Sequence, residues 1–216
     1  KANYEINEYN QLFLSGYLGR DNFGFGNAAG FNWGNQTATL RWNHLFSERL
    51  FSNFTTYYSN YDYEIDFGLD SDNTFDWSAK IKNYSAKADF SYFLNPSNLI
   101  TFGAQTIFYE FQPANAFSLN EGELVDFSLP KKYALESGIF IENEQKINSD
   151  ISMQYGLRWS HFNYMGKGKS FEYADAETPG DRRDPILDQT QTFDAGESIE
   201  TYHSFEPRFS IKYQVN

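Results

Sequence analysis

The amino-acid sequence predicts an all-β protein made of long antiparallel strands. Apolar and polar residues alternate without interruption near the end of the chain, where Phe205, Phe209 and Ile211 are separated by polar neighbours. Successive side chains of a strand point to opposite faces, so a period of two gives one apolar and one polar face. The same alternation recurs within 84–92, 100–108, 133–144 and 151–159. These runs exceed the usual strand length of about 5–6 residues.

Short turn sequences divide the chain into pairs of strands. They fall at 7–10, 46–50, 94–98 and 146–150, and longer connections lie between them at 24–31, 70–76, 112–129 and from 166 to about 199. We therefore predict eight strands, at 11–23, 32–46, 50–68, 77–94, 98–112, 131–146, 150–165 and 201–215. Short turns at one end and long loops at the other are typical of membrane barrels.

The composition is consistent with a sheet that crosses a membrane. Aromatic residues make up 19% of a chain whose mean hydropathy is −0.63, as expected for two aromatic girdles around a wet lumen. No run of about 18 apolar residues is present, so no transmembrane helix is predicted. Backbone hydrogen bonds must be satisfied inside a bilayer, which leaves a closed sheet as the spanning structure. We therefore predict a transmembrane antiparallel up-and-down β-barrel.

The residues of the polar faces indicate the size of this barrel. An eight-stranded barrel is just wide enough for interior side chains to fill it. The predicted interior positions here carry mostly Ser, Thr, Gly, Asn and Gln with scattered charges, which suit a wide, hydrated lumen. The eight strands are therefore expected to be part of a larger barrel. The chain is expected to start inside it, with a turn at 6–12, and further strands are expected after Asn216 because no terminal aromatic residue closes the chain.

Several classes of function are excluded by composition and spacing. The chain has 0 cysteines, which removes disulfides and thiolate metal sites, and its net charge of −12 argues against binding to nucleic acid. His44, His161 and His203 lie far apart and form no metal-binding spacing. No Gly-x-Ser-x-Gly element nominates a nucleophile. We therefore predict no enzyme, no metal site and no cofactor.

Three acidic residues, Asp62, Glu64 and Asp66, share one face of a predicted strand, and further aspartates follow in the adjoining loop. One interpretation is an acidic mouth that attracts cationic solutes. The other is a solvated extension of the strand above the membrane, bridged to lipopolysaccharide by divalent ions. Charge runs are usually solvated faces, which favours the second interpretation.

Charged residues inside the strands are expected to face the lumen, because a charge on the lipid face costs about 2–4 kcal/mol at the bilayer midplane. The charged residues that the alternation assigns to the polar, lumen-facing side of their strands are Lys87, Asp89, Glu136, Glu142, Arg158, Arg208 and Lys212. Most of them are expected to form cross-strand pairs. Arg158 is the first candidate for a substrate contact, because a guanidinium can bind a carboxylate or phosphate through two hydrogen bonds.

Two further features leave alternatives open. The four tryptophans, Trp33, Trp42, Trp77 and Trp159, are either interfacial anchors or a sugar-stacking platform, and the anchor interpretation is favoured. The segment 173–200 is rich in carboxylates, which are calcium ligands. It lacks an Asp-x-Asp-x-Asp-Gly sequence, so a surface loop is favoured over an ordered calcium site.

Several sequence segments, taken in their order and spacing, resemble those of TonB-dependent outer-membrane transporters. The resemblance is to the nutrient-uptake branch whose members carry a carboxypeptidase-like regulatory domain before the plug. The segments are LFLSGYLGRD at 12–21, WGNQTATLRWNHLF at 33–46, TYYSNY at 56–61 and FEPRFSIKY at 205–213. All of them lie in the predicted barrel, so the resemblance covers that part alone.

The resemblance implies that residues 1–216 are part of one barrel domain of about 22 strands in the outer membrane of a Gram-negative bacterium. The plug, the N-terminal region and the closing strands would then lie outside this chain. It also implies import of a scarce solute such as a siderophore, glycan or peptide, driven from the inner membrane through TonB. The expected partners are TonB, bound by the N-terminal region, outer-membrane lipid, lipopolysaccharide and a surface lipoprotein as a lid.

Two other hypotheses remain open from the sequence. A self-contained eight-strand outer-membrane barrel with an adhesin or structural role would need matched ends and a packed interior. A soluble β-sheet binding module would have to expose residues such as Leu157, Trp159 and Phe209 to water, and such an apolar band is too large for a soluble monomer.

Overall fold

The computed structural model describes residues 1–26, 28–70, 73–120, 123–173 and 187–214. These ranges contain twelve strands: β1 (Ala2–Asn7), β2 (Asn10–Phe25), β3 (Ala29–Ser47), β4 (Leu50–Asp70), β5 (Asn73–Asn95), β6 (Asn98–Asn120), β7 (Glu123–Ser128), β8 (Lys132–Lys146), β9 (Ile151–Met165), β10 (Gly168–Tyr173), β11 (Leu187–Phe193) and β12 (Ser198–Tyr213). The fold is all-β, as predicted. Within the described ranges there is no helix of the length and apolarity needed to cross a membrane.

Ten of the strands form one antiparallel sheet. Its order is β1-β2-β3-β4-β5-β6-β8-β9-β12, and β7 extends it by pairing with the last six residues of β6, Asn115–Asn120. Apart from β7 and the β10–β11 hairpin, which lie off this order, strands that follow one another in sequence are neighbours in the sheet, as predicted for an up-and-down arrangement. The hairpin of β10 and β11 forms a separate two-stranded sheet. Among the described strands, β1 and β12 are the two edges, so the sheet is open.

The turns between paired strands are stabilised by asparagine side chains. Asn7 Oδ1 accepts hydrogen bonds from the backbone N–H of Tyr9 (3.0 Å) and from Asn10 Nδ2 (2.8 Å). Asn95 makes the equivalent pair of bonds at the β5–β6 turn. An asparagine that binds the backbone two residues on fixes a tight turn, which explains why the short turns were visible in the sequence. We call this rim of the sheet the short-turn end and the opposite rim the long-connection end.

The eight predicted strands correspond to β2, β3, β4, β5, β6, β8, β9 and β12, but the prediction of eight strands was wrong in number. β1 precedes the first of them, because only Glu8 and Tyr9 form the turn that was assigned to 6–12. The connections assigned to 24–31 and 70–76 are mostly strand. β10 and β11 occupy parts of the connection assigned to 166–199, whose residues 174–186 lie outside the described residues, as do 215 and 216.

The end of β6 was also placed wrongly, at 112, whereas the strand continues to Asn120 and pairs there with β7. The cause is a β-bulge opposite Ser78 and Lys80, which are paired with Asn115 and Gln112. Pro113 lies in this bulge, where its missing N–H breaks no ladder bond. A bulge inserts one extra residue and so shifts the apolar–polar alternation by one position. A strand that is predicted from this alternation alone therefore ends at the bulge, although the real strand continues.

The sheet is one layer thick and buries little of its surface. The solvent-accessible area of the chain is 15,493 Å², whereas a compact monomer of the same mass, 25.1 kDa, would expose roughly 10,000 Å². The few buried apolar residues are Ala79, Ile107, Ala114, Ala116 and Phe193. Most apolar side chains of this protein are therefore not buried in a core of the same chain, and they need an apolar environment outside it.

Candidate functional site

The strand register places the apolar residues on one face of the sheet. Two rows of aromatic rings cross this face. The row nearer the short-turn end is Trp42–Phe54–Phe90–Phe102, with ring centroids 5.1, 5.7 and 5.1 Å apart. The row nearer the long-connection end is Tyr58–Tyr84–Phe108–Tyr133, with centroids 5.2, 6.4 and 6.1 Å apart. We call it the upper aromatic row.

The face between and beside these rows is apolar and uncovered. Leu157 is 45% exposed and Phe209 is 65% exposed. On β5 the side chains on this face run from Tyr84 to Tyr92 without a charge, a distance of about 27 Å along the strand. A tilted strand of that length crosses most of an apolar band about 25 Å tall. The apolar face therefore has the dimensions and the aromatic borders of a surface that contacts lipid.

The opposite face is polar and carries the charged residues that the alternation predicted there. Cross-strand pairing aligns Asp89, Gly103, Phe140, Arg158 and Glu206 in one row across five strands. The predicted residues Lys87, Glu136, Glu142, Arg208 and Lys212 lie on the same face by the same register. The prediction that these charges share the polar face is confirmed.

Most of these charged side chains are joined by short hydrogen bonds and ion pairs. Gln154 Nε2 donates to Glu142 Oε1 (2.6 Å), and Lys87 Nζ lies 2.9 Å from Asp89 Oδ1. On β12, Arg208 Nη2 lies 3.7 Å from Glu206 Oε2. Both ion pairs join residues two apart on one strand, whereas the hydrogen bond between Gln154 and Glu142 crosses from β9 to β8. Among the described residues these charges therefore do not form the cross-strand ion pairs that were expected.

Arg158 is held by one chain of hydrogen bonds. Its Nε donates to Ser160 Oγ (3.0 Å), and that hydroxyl donates to Glu206 Oε1 (2.5 Å). The guanidinium group, through Nη2, Cζ and Nε, lies over Gly138 on the neighbouring strand. Among the described residues this guanidinium forms no ion pair within 4.0 Å, so the forked end of the side chain keeps its capacity to bind an anion.

A groove of 270 Å³ opens beside Arg158 on the polar face. Lys87, Arg158 and Arg208 supply three cationic side chains to it, and Glu142 supplies a carboxylate. Gln105 and Phe140 complete its floor. The arrangement can hold an anionic or polar group against the wall, and none of its side chains is placed as a nucleophile with a base.

The two faces exchange character beyond the upper aromatic row. On the apolar side the strands now carry charges, where Arg20 forms an ion pair with Asp62 (2.5 Å) and Lys80 lies opposite Asp62. On the other side they carry aromatic rings, where Phe31 lies 4.9 Å from Trp33 and 6.3 Å from Tyr63. A sheet that leaves the lipid band would show such an exchange, because its outer face then meets water.

Solved structures show where such a sheet occurs. The chain is similar to the ferric preacinetobactin receptor BauA from Acinetobacter baumannii, with a TM-score of 0.64 and 11% sequence identity over 99% of this chain and 36% of that one. It is also similar to the copper transporter OprC, with a TM-score of 0.64 and 12% identity over 95% of this chain and 32% of that one. It therefore spans about a third of the length of these two proteins. No protein-family model and no curated protein matches the sequence.

The chain has the fold of an outer-membrane β-barrel wall. In a wall of this fold the apolar face is turned to lipid and the polar face to the lumen, and we call them the lipid-facing side and the lumenal side. Because the sheet is open among the described strands, the wall is a segment of a barrel rather than a closed eight-strand barrel. The two similar proteins are a receptor and a transporter rather than enzymes.

The wall separates the predicted candidate residues. Arg158 lies on the lumenal side, whereas Asp62, Glu64 and Asp66 lie on the outer side, beyond the upper aromatic row. The three carboxylates thus share the outer side, and the choice between an acidic mouth and a solvated strand extension stays a prediction. The tryptophans also divide, with Trp42 and Trp159 on the lipid-facing side and Trp33 and Trp77 on the lumenal side.

An ion-pair cluster lies just beyond the upper aromatic row on the outer side. Glu110 Oε1 accepts a bond from Lys131 Nζ (2.7 Å) and lies 3.5 Å from Lys82 Nζ. The hydrogen bond from Lys131 holds the pKa of the Glu110 carboxyl below its ordinary value. The same bond raises the pKa of Lys131. Both groups therefore keep their charges through the neutral range.

Sequence reasoning missed a lysine-lined cavity beside this cluster. It has a volume of 640 Å³ and lies where β8 and β9 meet the β10–β11 hairpin. Its four lysines are Lys131, Lys132, Lys167 and Lys169, and we call it the lysine cavity. The pairs 131–132 and 167/169 were visible in the sequence, but only the pairing of β8 with β9 brings them together. No group of three metal-ligating side chains is found among the described residues, and the segment 174–186 lies outside them.

Proposed function

We propose that this chain is part of a TonB-dependent outer-membrane transporter that imports a scarce solute such as a siderophore, glycan or peptide. The observation that carries the proposal is the two-sided wall, apolar outside and polar inside, which resembles about a third of a ferric-siderophore receptor and of a copper transporter. Residues 1–216 would belong to one barrel domain of about 22 strands, and the long-connection end would face the exterior.

The proposed mechanism uses the lumenal wall for binding rather than chemistry. A solute would first meet the aromatic side chains around Trp33 and Tyr63 and then the polar groove beside Arg158. Arg158 is the proposed anion contact, because its forked end is uncommitted among the described residues while its Nε is fixed through Ser160. Energy for release would come from the inner membrane through TonB, which would bind an N-terminal region outside this chain.

The partners follow from the same proposal. Outer-membrane lipid and lipopolysaccharide would surround the apolar face. A plug and a carboxypeptidase-like regulatory domain would belong to the same polypeptide, and a surface lipoprotein would form a lid over the long connections. The acidic residues Asp62, Glu64 and Asp66 would lie on the outer surface near such partners.

The intact mass of the parent polypeptide, extracted from outer membranes in detergent, is the first test. A mass several times that of this 25.1 kDa chain is expected, because a plug and the remaining strands are required. A heat-modifiable species near that mass would overturn the proposal and would favour the small closed barrel.

The second test is growth of the parent strain on limiting solutes. We expect deletion of the gene to abolish growth on one solute among ferric siderophores, glycans and peptides supplied as the limiting nutrient. Deletion of TonB should give the same defect, and plasmid-borne full-length protein should restore growth only when TonB is present. Restoration that does not depend on TonB would contradict the proposed energy source.

A further inference from the structure

One side of β7 is an open edge of the sheet. β7 pairs with the last residues of β6, Asn115–Asn120, and with no other described strand. β8 pairs with β6 further down, from Lys132 onwards. The side of β7 that faces away from β6 therefore has no neighbouring strand among the described residues, and we call it the β7 edge. Open edges carry unpaired backbone donors and acceptors, to which another strand can be added.

The register identifies the backbone groups that the β7 edge offers. The N–H of Leu129 donates to the carbonyl oxygen of Ala114 (3.0 Å). Residues two and four positions before Leu129 therefore also exchange hydrogen bonds with β6, because such bonds alternate along an antiparallel strand. The residues between them, Leu124, Asp126 and Ser128, direct their backbone N–H and C=O groups away from β6. Each offers one donor and one acceptor to an extended chain.

The side chains of β7 offer an apolar surface to an added strand. Val125 and Phe127 are exposed on the lumenal side, where the register continues them through β6 to Phe75 and Trp77. Leu124 is exposed on the outer side. In strand addition, main-chain bonds supply affinity and alternate side chains supply specificity. The β7 edge therefore favours an extended chain with apolar side chains.

The lysine cavity lies at the end of this edge. Leu129 and Lys131, which follow β7 in the chain, line it together with Lys169 and Phe171 of β10. Four of its lining residues are lysines and none is a carboxylate, although the whole chain has 29 acidic and 17 basic residues. Lys132 is on the lumenal side by its register with β6. The cavity therefore reaches the lumenal side and suits an anionic group at the end of an added strand.

The contacts of the lysines leave donors for such a group. Lys131 is bound to Glu110 (2.7 Å). Lys167 and Lys169 form no ion pair with any described residue. A lysine ammonium has three donors on a flexible stem. Two ammonium groups that are uncommitted within the described part of the chain can therefore bind one carboxylate in the cavity.

We propose that the β7 edge and the lysine cavity together bind an extended peptide that has an acidic residue at one end. The backbone of the peptide would pair with Leu124, Asp126 and Ser128, and its carboxylate would contact Lys167 and Lys169. This inference rests on the proposed function and deepens it, because it selects peptides among the imported solutes. Pairing through the main chain admits peptides of varied sequence, and the lysines add a preference for an acidic end.

The first test measures the binding of fluorescent octapeptides to the purified full-length protein in detergent. The peptides alternate valine and threonine, have blocked ends and carry one glutamate as the first or the last residue, because an edge can pair with either strand direction. One of the two should bind. Its glutamine counterpart should bind about tenfold more weakly, because hydrogen bonds to charged groups are the stronger ones.

Two double variants test whether the cavity causes this preference. Lys167→Gln/Lys169→Gln should remove the difference between the glutamate and the glutamine peptide. The matched control is Lys146→Gln/Lys212→Gln, which removes two lysines near the short-turn end. The control should keep the difference. A preference for glutamate that survives in the first variant would overturn the assignment of the carboxylate to the cavity.

Methylated peptides test the pairing of backbones on the unaltered protein. N-methylation of alternate residues removes the N–H groups on one side of an extended peptide. One alternate set should abolish binding and the other set should leave it intact, because an open edge pairs with one side of the peptide only. Equal effects of the two sets would show that the peptide is not bound as an added strand.

Matched variants of Asp126 test the same pairing from the side of the protein. Asp126→Pro removes an outward N–H without breaking a bond to β6, whereas Asp126→Ala removes the same side chain and keeps that N–H. Asp126→Pro should weaken binding about tenfold or more, and Asp126→Ala should not weaken it. Wild-type affinity of folded Asp126→Pro would overturn the inference. A dimer of the protein that binds no peptide and that Asp126→Pro dissociates would assign the β7 edge to a second copy instead.

Failure of this inference and failure of the proposed function give different results. Heat-modifiable migration reports whether the protein is a membrane barrel, and TonB-dependent growth reports transport. TonB-dependent growth on a glycan or a ferric siderophore, with no peptide binding, would refute the peptide site alone. A protein that is not heat-modifiable, in a strain without TonB-dependent growth, would refute the proposed function on which the site depends.

Discussion

The guanidinium of Arg158 lies directly over Gly138 of the neighbouring strand, so that a Cβ at position 138 would be only 2.8 Å from Arg158 Nη2. The glycine thus makes room for the arginine to lie flat against the lumenal wall. Gly103 has a similar relation to Phe140, whose ring lies over it, but there a Cβ would also overlap the backbone carbonyl oxygen of Ala88. One glycine accommodates a flexible side chain, and the other also accommodates the backbone.

This difference predicts unequal costs for two similar substitutions. Gly103→Ala should lower the free energy of unfolding by about 1–3 kcal/mol, because backbone must move to relieve the overlap. Gly138→Ala should change it by less than about 1 kcal/mol, because the far end of Arg158 can shift. Denaturant unfolding of the full-length protein in phospholipid vesicles measures both. Gly24→Ala, where the nearest atom is 3.5 Å away, is the control and should be neutral, and a larger cost at position 138 than at 103 would contradict the argument.

The assignment of the two faces predicts where a charge is tolerated. Leu157→Arg should destabilise the folded protein by about 2–4 kcal/mol, because Leu157 lies within the lipid-facing band. Gln154→Arg is the matched control on the same strand, since its side chain is lumenal and beside Glu142. Folding yield into vesicles and the denaturant midpoint measure the effect. Similar effects of the two substitutions would refute the assignment of the faces.

Alternation was sufficient to predict the wall because one physical constraint acts on each strand separately. A residue such as Leu157 or Arg158 is assigned to a face by its parity, without knowledge of the neighbouring strand. The same reasoning failed at Pro113, where the bulge shifts the parity, and at β1, which is short. Local patterns therefore predicted the strands but not their extensions.

The sites could be predicted only in part, because they depend on strand pairing. Arg158 was chosen from its residue type and face, and the structure adds the groove and the bonds through Ser160. The lysine cavity was missed because Lys131 and Lys167 are distant in sequence and meet only through the pairing of β8 with β9. The sequence also gave no indication of the upper aromatic row as a row, since its four rings come from four strands.

The register between β6 and β8 predicts a specific disulfide. Thr106 and Ser137 are direct partners, and their hydroxyl oxygens are 3.1 Å apart. The chain has 0 cysteines, so the double variant Thr106→Cys/Ser137→Cys offers a single pair within it. We expect this pair to oxidise in the folded protein, because directly opposed residues of antiparallel strands have Cα atoms about 4.5–5.5 Å apart, within the range that a disulfide spans. Mass spectrometry of a digest made without reductant detects the linked peptides.

The control for this register is Thr106→Cys/Glu136→Cys, in which the second cysteine lies one residue away and points to the other side of the sheet. It should remain reduced in the folded state. Crosslinking of the control pair instead of the first pair would mean that β8 is shifted by one residue. Such a shift would turn Glu142 to the other face relative to Lys87 and Gln105, which line the groove with it, and would remove the groove.

The ion pair of Glu110 and Lys131 predicts a defined response to pH. The lowered pKa of Glu110 means that its contribution to stability is present above the unfolded-state pKa and is lost as the pH falls through the folded-state value. The raised pKa of Lys131 means that its contribution is present below the unfolded-state pKa and is lost as the pH rises through the folded-state value. NMR titration of the glutamate side-chain carbons in the folded full-length protein should therefore show the pKa of Glu110 below its ordinary range.

Two lysine variants test the cause of this lowered pKa. Lys131→Gln should raise the pKa of Glu110, because the hydrogen bond from Lys131 is the main cause of the lowering. Lys146→Gln, at the other end of β8, should leave the pKa of Glu110 unchanged. An unchanged Glu110 titration in Lys131→Gln would show that the pair does not form in the membrane-embedded protein.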